Sequence, residues 1–216
     1  MPFPLYALDY GSLCRLRALV SPSEAYELQI AAPHLDGFNP VQKITPFSNY
    51  LTISIDYNKK LLAKFQWSSS NVPLNNDKLY SVDMPVTILA FKPDHNARMI
   101  FDQFIVASKS MRFYYCHLTT KFLQDISSHL KVELTELFLC NNEFHDDVTL
   151  EFICTLFKSL KALIFTGYVL NSNWVDSLIT LNYADMQQLE FSYVSIDVLN
   201  IDEAQLIKFF NVRLQI

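Results

Sequence analysis

The sequence predicts an α/β fold: a short, irregular solenoid of strand–turn–helix units of about 26 residues on a parallel sheet, preceded by a small helical module. Two observations support this prediction. Apolar residues recur every 26 residues through the second half of the chain, and residues 8 to 35 carry apolar residues at helical spacing. Because such units bury their apolar faces only by stacking, the repeat indicates neighbouring strands and helices.

The repeat consists of four apolar columns. The first two columns lie two residues apart and are predicted to face inward from a strand. The third follows five residues later, and the fourth falls in the predicted helix of each unit. Val86, Ile88 and Phe101 fit the template at a spacing of 25 and predict a fifth, atypical unit. The columns are Met111, Leu137, Leu163 and Leu189; Phe113, Leu139, Phe165 and Phe191; Leu118, Phe144, Leu170 and Ile196; and Ile126, Phe152, Leu178 and Ala204.

The clearest unit, residues 134–144, reads Leu-x-x-Leu-x-Leu-x-x-Asn-x-Phe. This pattern resembles a leucine-rich repeat, in which Asn142 stands at the position that the family fills with Asn or Cys. The preceding unit has Cys116 there and resembles the cysteine-containing subtype that is common in F-box proteins. The two later units depart from the pattern, with Tyr168 and Val194 at that position. The resemblance implies a protein-binding solenoid.

The amino-terminal residues are predicted to form two or three short helices. Leu13 and Leu16 fall at helical spacing. The second helix has a strong start, because Ser21-Pro22-Ser23-Glu24 supplies an N-cap, a proline at the first position and a capping-box acid. Pro33 is predicted to end this helix.

Residues 5 to 38 also match a known motif. The matching segments are Leu8-Asp-Tyr-Gly-Ser-Leu13-Cys-Arg-Leu16, then Pro22-x-Glu24 with Leu28, then Pro33-His34-Leu35. They resemble an F-box, most closely the divergent F-box-like segments of nematode protein families. Asp9 departs from the usual proline, and no tryptophan follows the second helix. The resemblance implies docking on the small adaptor subunit of a cullin–RING ubiquitin ligase, with five candidate contact residues: Leu8, Leu13, Leu16, Pro22 and Leu28.

A second interpretation of the same leucines stays open. Any solenoid needs a terminal cap, and these residues would equally form the core of a helical cap that shields the first unit. The first interpretation predicts outward-facing leucines, and the second predicts buried ones.

Between the helices and the repeats, the period changes to that of strands. Residues 50–56 and 60–67 are predicted to pair through a turn at residues 57–59, and the polar stretch 68–77 is the best candidate boundary. The predicted domains are therefore 1–45 (F-box-like module or cap), 46–80 (strand pair and linker) and 81–216 (repeat array). Residues 212–216 alternate as an edge strand would.

The predicted concave sheet face is the candidate partner-binding surface. Alternate strand residues point in opposite directions, so the residues between the inward columns face outward. Phe138 and Ile164 are adjacent apolar residues there, between a basic and an acidic residue, as expected for a protein-binding patch. Coverage by another part of the chain is the alternative. The predicted partner-binding residues are Arg112, Tyr114, Phe138, Cys140, Ile164 and Glu190.

Composition narrows the functional classes. A net charge of −5 and an isoelectric point near 5.5 disfavour nucleic-acid binding. With only 3 glycines the chain lacks glycine-rich phosphate loops. The amino terminus does not resemble a secretory signal, and no apolar run approaches the roughly 20 residues that span a bilayer. The 4 cysteines lack metal-binding spacing, so the sequence predicts a cytoplasmic or nuclear protein without cofactor or metal.

No catalytic constellation follows from spacing. His117, His145, Asp146 and Asp147 lie in predicted turns one repeat apart, and the two aspartates are predicted to be the cap and the first-turn acid of the following helix. The leading hypothesis is a non-enzymatic recognition subunit of an SCF-type ubiquitin ligase that presents a protein substrate on its concave face. The alternatives are a plain interaction scaffold whose helices only cap the solenoid, and an unrecognised enzyme, which would need a deep pocket with convergent polar groups.

Overall fold

The computed structural model describes residues 5–65, 71–75, 78–167, 174–181 and 186–213. Within these ranges the chain has a mixed α/β fold with seven α-helices and a predominantly parallel main sheet. The helices are α1 Tyr10–Leu19, α2 Pro22–Ala31, α3 Arg98–Phe101, α4 Thr120–His129, α5 Leu150–Leu156, α6 Trp174–Thr180 and α7 Glu203–Arg213. The strands are β1 Lys43–Phe47, β2 Leu51–Ile55, β3 Leu61–Phe65, β4 Lys78–Val82, β5 Val86–Leu89, β6 Phe104–Val106, β7 Ser110–Tyr114, β8 His117–Leu118, β9 Glu136–Cys140, β10 Glu143–Phe144, β11 Ala162–Thr166 and β12 Gln188–Ser192.

The main sheet has seven strands in the order β12-β11-β9-β7-β5-β2-β3. Every neighbouring pair is parallel except the β2–β3 hairpin. Leu137 pairs with Leu163, and Leu163 pairs with Leu189, so residues 26 apart lie side by side. The predicted parallel sheet and the predicted neighbourhood of these leucines are confirmed.

The predicted fifth unit also belongs to this sheet. Val86 pairs with Met111 and Ile88 pairs with Phe113, at the spacing of 25 that the sequence indicated. Strand β2 then pairs with β5, so the predicted strand pair of residues 46–80 and the predicted array of residues 81–216 share one sheet. The division of the chain into three domains stays a prediction.

Two smaller sheets accompany the main one. Strands β1, β4 and β6 form a parallel sheet, and β8 pairs with β10 over two residues in each strand. Pro46 is tolerated in β1 because that strand lies at the sheet edge, where a missing N–H need not face a partner. The sequence analysis did not predict this three-stranded sheet.

One continuous apolar core runs from Phe47 to Phe209. The inward columns of β5, β7, β9 and β11 are at most 1 % exposed, because helices cover that side of the sheet. For example, the ring of Phe113 in β7 meets that of Phe122 in α4, with a centroid separation of 6.2 Å. In β12, by contrast, Leu189 and Phe191 are only half-buried.

The amino-terminal helices have a separate small core of Leu5, Leu13, Ala32 and Phe38. The predicted start of α2 is confirmed, since Ser21 and Glu24 form a capping box with Pro22 in the first turn. The predicted end is also confirmed, because α2 stops at Ala31, ahead of Pro33.

Two predictions about helix ends are wrong. The cap of α5 is Thr149, whose hydroxyl accepts from the N–H of Phe152, rather than Asp146 or Asp147. Two residues of the predicted edge strand 212–216, Val212 and Arg213, belong to α7, and the remaining three lie outside the described residues. Tyr168, Leu170 and Trp67 also lie outside them. No described helix has both the length and the apolar composition that crossing a bilayer requires.

Candidate protein-binding face

The main sheet has one face that the α-helices of the repeats do not cover, which we call the open face. Strand register places its residues in two rows, each crossing six strands. All six predicted partner-binding residues lie in these rows, while their role in binding a partner stays a prediction. The rows are Thr52, Thr87, Arg112, Phe138, Ile164 and Glu190, then Ser54, Leu89, Tyr114, Cys140, Thr166 and Ser192.

Arg112 and Phe138 form the centre of the open face. The guanidinium carbon of Arg112 lies 4.6 Å from the ring centroid of Phe138, a cation–π contact between neighbouring strands. The Nε of Arg112 is buried and has no hydrogen-bond partner. Among the described residues, no carboxylate lies within ion-pair distance of this guanidinium. Arg112 is therefore a cation whose hydrogen-bonding capacity is partly unused.

Cys140 and Ile164 are less accessible than predicted. Each is only 7 % exposed, so the expectation of an exposed apolar pair at Phe138 and Ile164 is wrong for Ile164. Strands lie about 4.8 Å apart, and bulky side chains on three adjacent strands therefore shield the middle of a row. Phe138 remains half-exposed and is the accessible apolar group.

Tyr114 sits next to Cys140 on the adjoining row. Burial raises the pKa of Tyr114, the neighbouring Cys140 thiol raises it further, and the Arg112 guanidinium opposes the shift. The phenol is therefore neutral at physiological pH and supplies a hydroxyl beside the Arg112–Phe138 pair.

Glu190 marks the acidic end of the open face. Its carboxylate is exposed and accepts hydrogen bonds from the side-chain amide of Gln188 at 3.1 Å and from the hydroxyl of Ser192 at 2.7 Å. These two hydrogen bonds come from residues of the same strand and fix the position of the Glu190 carboxylate over β12. The face thus runs from a basic centre to an acidic edge.

The five predicted adaptor contacts lie in or directly before the amino-terminal helices but do not face outward. Leu13 is 5 % exposed within the small core, and Pro22 is also buried. Leu8, Leu16 and Leu28 are half-buried and pack against that core. The placement agrees with the cap interpretation of these side chains, while their role in adaptor binding stays a prediction.

Leu16 and Leu28 also line a cavity of about 710 Å³ between the amino-terminal helices and the elements α3, β6 and α4. Phe101 and Phe104 form part of the opposite wall. Ion pairs cross the cavity rim from α2: Glu24 with Arg98, and Glu27 with Lys131 at 3.7 Å. The two leucines therefore face the body of the protein.

The exposed apolar residues of the amino-terminal module are different ones. Tyr6 and Tyr10 are 69 % and 67 % exposed, Leu19 is 84 % exposed, and Ile30 is 57 % exposed. Sequence reasoning missed them because it followed the leucine pattern of the motif. Their positions between the core leucines of the helices were the available signal.

The histidine and aspartate cluster forms a polar group at the β8–β10 turns. Nδ1 of His117 lies 3.1 Å from Oε2 of Glu143, and Nδ1 of His145 lies 2.7 Å from Oδ1 of Asp147. The hydroxyl of Thr120 donates to Asp147 at 2.6 Å and is the main cause of the lowered pKa of that carboxyl. Because the hydroxyl bonds a carboxylate instead of an imidazole, this is not an activated nucleophile.

The described residues include no group of three or more His, Cys, Asp or Glu side chains arranged to hold a metal ion. The open face is therefore the site whose chemistry is best defined: a partly unsatisfied cation against an aromatic ring, with a neutral phenol alongside. Comparison with known protein families, with characterised proteins and with solved structures finds no match to this chain.

Proposed function

We propose that this chain is a non-enzymatic protein-interaction module that binds a protein partner on the open face. The observation that carries the proposal is the Arg112–Phe138 pair at 4.6 Å, which combines a cation with a half-exposed aromatic ring. Because no carboxylate of the described residues lies within ion-pair distance of this guanidinium, an acidic ligand meets no competing ion pair there.

The chemistry of the pair defines the partner. A guanidinium without a carboxylate favours an Asp or Glu side chain, since such hydrogen bonds are charge-assisted. The half-exposed ring of Phe138 favours an apolar side chain beside that acid. The preferred ligand is a polypeptide segment in which an acidic residue stands next to an apolar one.

The finer description of the fold as a leucine-rich-repeat-like solenoid belongs to the same proposal. It is supported by strand pairing at intervals of 26 residues and by Asn142, which bonds the backbone of the preceding unit. Proteins built from such units use an extended sheet face for binding, which agrees with the location of the Arg112–Phe138 pair.

The ligase role is the more specific part of the proposal: a substrate-recognition subunit of an SCF-type ubiquitin ligase whose amino-terminal helices dock on the small adaptor subunit. Exposed apolar side chains at Leu19 and Ile30 support an interaction surface on these helices. The alternative is a scaffold whose helices only cap the solenoid, and the burial of Leu13 in the small core favours it.

Selection of peptides tests the open face directly. A displayed random-peptide library is selected on the wild-type protein alone, and the enriched peptides are then measured on the variants. We expect enriched peptides to pair Asp or Glu with an adjacent apolar residue and to bind Arg112→Glu and Phe138→Ser at least tenfold more weakly. Lys64→Glu is the matched control, since Lys64 is exposed at the far end of the same row. Peptides that bind all four proteins equally would overturn the proposal.

The ligase role has a separate test. Calorimetric titration with the purified adaptor subunit is compared for the wild type and for a Leu19→Asp and Ile30→Asp double variant. Both substitutions are at exposed positions, so the small core is preserved, whereas Leu13→Asp would disrupt it. Binding that the double variant abolishes supports adaptor docking through this surface. If the wild-type protein does not bind the adaptor, the ligase role is wrong and the scaffold function is the one retained.

A further inference from the structure

The two outer edges of the main sheet differ. At one end, β3 is covered, because the N–H of Val72 donates to the carbonyl of Ala63 at 2.7 Å and Lys64 forms a bridge with Asn71. At the other end, β12 pairs with β11 alone, and no strand among the described residues pairs with its outer side. Within the described part of the chain, the β12 edge is therefore open.

The backbone of β12 shows which residues serve that edge. The backbone carbonyl of Ser192 accepts from the N–H of Gly167 at 3.0 Å, and the N–H of Gln188 donates to the carbonyl of Lys161 at 2.9 Å. The backbone polar groups of Gln188 and Ser192 therefore point toward β11. Backbone polar groups alternate in direction along a strand. The N–H and C=O groups of Leu189 and Phe191 therefore point outward.

The apolar side chains of β12 are covered only in part. Leu163 and Phe165 in the preceding strand are 0 % and 1 % exposed, whereas their register partners Leu189 and Phe191 are only half-buried. Tyr193 directly follows β12 and is 94 % exposed. A further strand at this edge would continue both the hydrogen-bond ladder and the apolar columns.

The protective features that sheet edges commonly carry are sparse here. Strand β12 contains neither proline nor lysine, and Glu190 is its single charged residue. Glu190 stands between the two apolar positions and is held by Gln188 and Ser192. A neighbouring strand that matches this edge carries a basic residue opposite Glu190 and an apolar residue on each side of it.

We propose that the outer edge of β12 binds an extended segment of a partner protein in which a basic residue stands between two apolar residues. The segment adds a strand to the sheet, its backbone bonding Leu189 and Phe191 and its basic side chain pairing with Glu190. This site is separate from the Arg112–Phe138 pair and does not depend on the function proposed for the open face.

A second copy of this chain is a poorer occupant. Its strand β3 carries the matching pattern Ala63-Lys64-Phe65, but the outer edge of β3 already pairs with residues 71 and 72. A segment of a partner protein whose backbone edge is unpaired can bind β12 without first breaking hydrogen bonds of its own.

The test uses a fluorescein-labelled peptide, Ser-Thr-Val-Lys-Ile-Thr-Ser with blocked ends, and fluorescence polarisation with the full chain. Its Val-Lys-Ile core is expected to align with Leu189, Glu190 and Phe191. We expect saturable binding that Glu190→Lys weakens at least tenfold, or about 1.4 kcal/mol. A peptide with Glu in place of Lys should bind Glu190→Lys better than it binds the wild type, which excludes misfolding of the variant. Asp83→Lys, an acid-to-lysine reversal at an exposed position between β4 and β5, is the matched control and should bind the lysine peptide as the wild type does.

Backbone recognition is tested by N-methylation of the peptide. In an added strand, alternate amides face the sheet, so methylating one alternate set should abolish binding while methylating the other set should not. Equal effects of the two sets would overturn strand addition. No saturable binding at about 1 mM peptide, where an interaction would be weaker than about 4 kcal/mol, would also overturn the proposal. So would concentration-dependent self-association of the peptide-free protein that Glu190→Lys abolishes, since it would make a second copy the occupant.

Discussion

The side chain of Asn142 bonds the backbone at Cys116, the residue 26 positions earlier in the preceding unit. Its Oδ1 accepts from the N–H of Cys116 at 2.8 Å, and its Nδ2 donates to the carbonyl of Phe113 at 2.9 Å. Asn142 is 1 % exposed, so neither bond competes with bulk water. The side-chain amide of Asn142 thus pairs two buried backbone groups near the turn between β7 and β8 that would otherwise have no partner.

Replacing Asn142 tests the contribution of this amide. Asn142→Ala leaves the N–H of Cys116 and the carbonyl of Phe113 buried and unpaired, and we expect a loss of about 3 kcal/mol in the free energy of unfolding. Urea denaturation of both proteins measures it. Asn58→Ala, in the exposed β2–β3 turn, is the control and should change stability by less than about 0.5 kcal/mol. Equal effects of the two substitutions would contradict the bridging role.

Gly167 is the second turn residue that the fold requires. Its φ is +86°, and a methyl group at its Cα would overlap Oδ1 of Asn141. We expect Gly167→Ala to destabilise the protein by about 2 kcal/mol, because backbone strain and the overlap act together.

Gly11→Ala is the matched control for Gly167→Ala. Gly11 lies in the first turn of α1 and is exposed. Alanine there has a higher helix propensity than glycine, and this gain is offset by the close approach of its methyl group to the carboxylate of Asp9. Thermal unfolding should therefore place Gly11→Ala within about 1 kcal/mol of the wild type. A neutral Gly167→Ala variant would show that the turn does not need its positive φ.

The cysteines should differ in reactivity. Cys14 is half-buried, whereas Cys116, Cys140 and Cys154 are buried. Burial raises the pKa of Cys154 to about 12, which suppresses the reactive thiolate further. At pH 8 we expect one thiol to react rapidly with a disulfide reagent and three to react only as the protein unfolds. Cys14→Ser should remove the fast phase, and a fast phase that persists would place a second thiol at the surface.

The burial of Cys116 should also make the free energy of unfolding fall as the pH becomes alkaline. It raises the pKa of this thiol from 9.0 to about 11, so the folded state holds the proton that the unfolded state loses. The stabilisation is complete below pH 9 and is lost as the pH rises to about 11. Relative to Cys116→Ala, the wild type should lose about 2–3 kcal/mol across this interval. Parallel stability curves from pH 8 to about 11 for the two proteins would contradict this cause.

Sequence patterning predicted the main sheet well because its physical cause is local and repeated. Leu137, Leu163 and Leu189 recur at one spacing, and stacked units must place such residues in adjacent strands. The sheet of β1, β4 and β6 was not predicted, since its strands come from segments without a common period. Lys43–Phe47 has only weak alternation and contains a proline.

The sequence predicted which residues lie in the rows of the open face, but it did not predict how exposed their side chains are. Alternation states which way Ile164 points, whereas its burial depends on neighbours in two other strands. The amino-terminal helices show the same limit. Capping residues located α2, but the direction in which Leu16 and Leu28 face depends on how that helix packs beside α3 and α4.

Disulfide formation between strands tests the central claim, that residues 26 apart lie side by side. In a background with Cys14 and Cys140 replaced by Ser, Arg112→Cys is combined with Phe138→Cys, its register partner, or with Glu136→Cys, its diagonal neighbour. Register partners lie about 5 Å apart and diagonal neighbours about 8 Å, beyond the reach of a disulfide. Mass spectrometry after mild oxidation should find the 112–138 bond and no 112–136 bond. A bond at 112–136 in place of 112–138 would show that the 26-residue register is wrong.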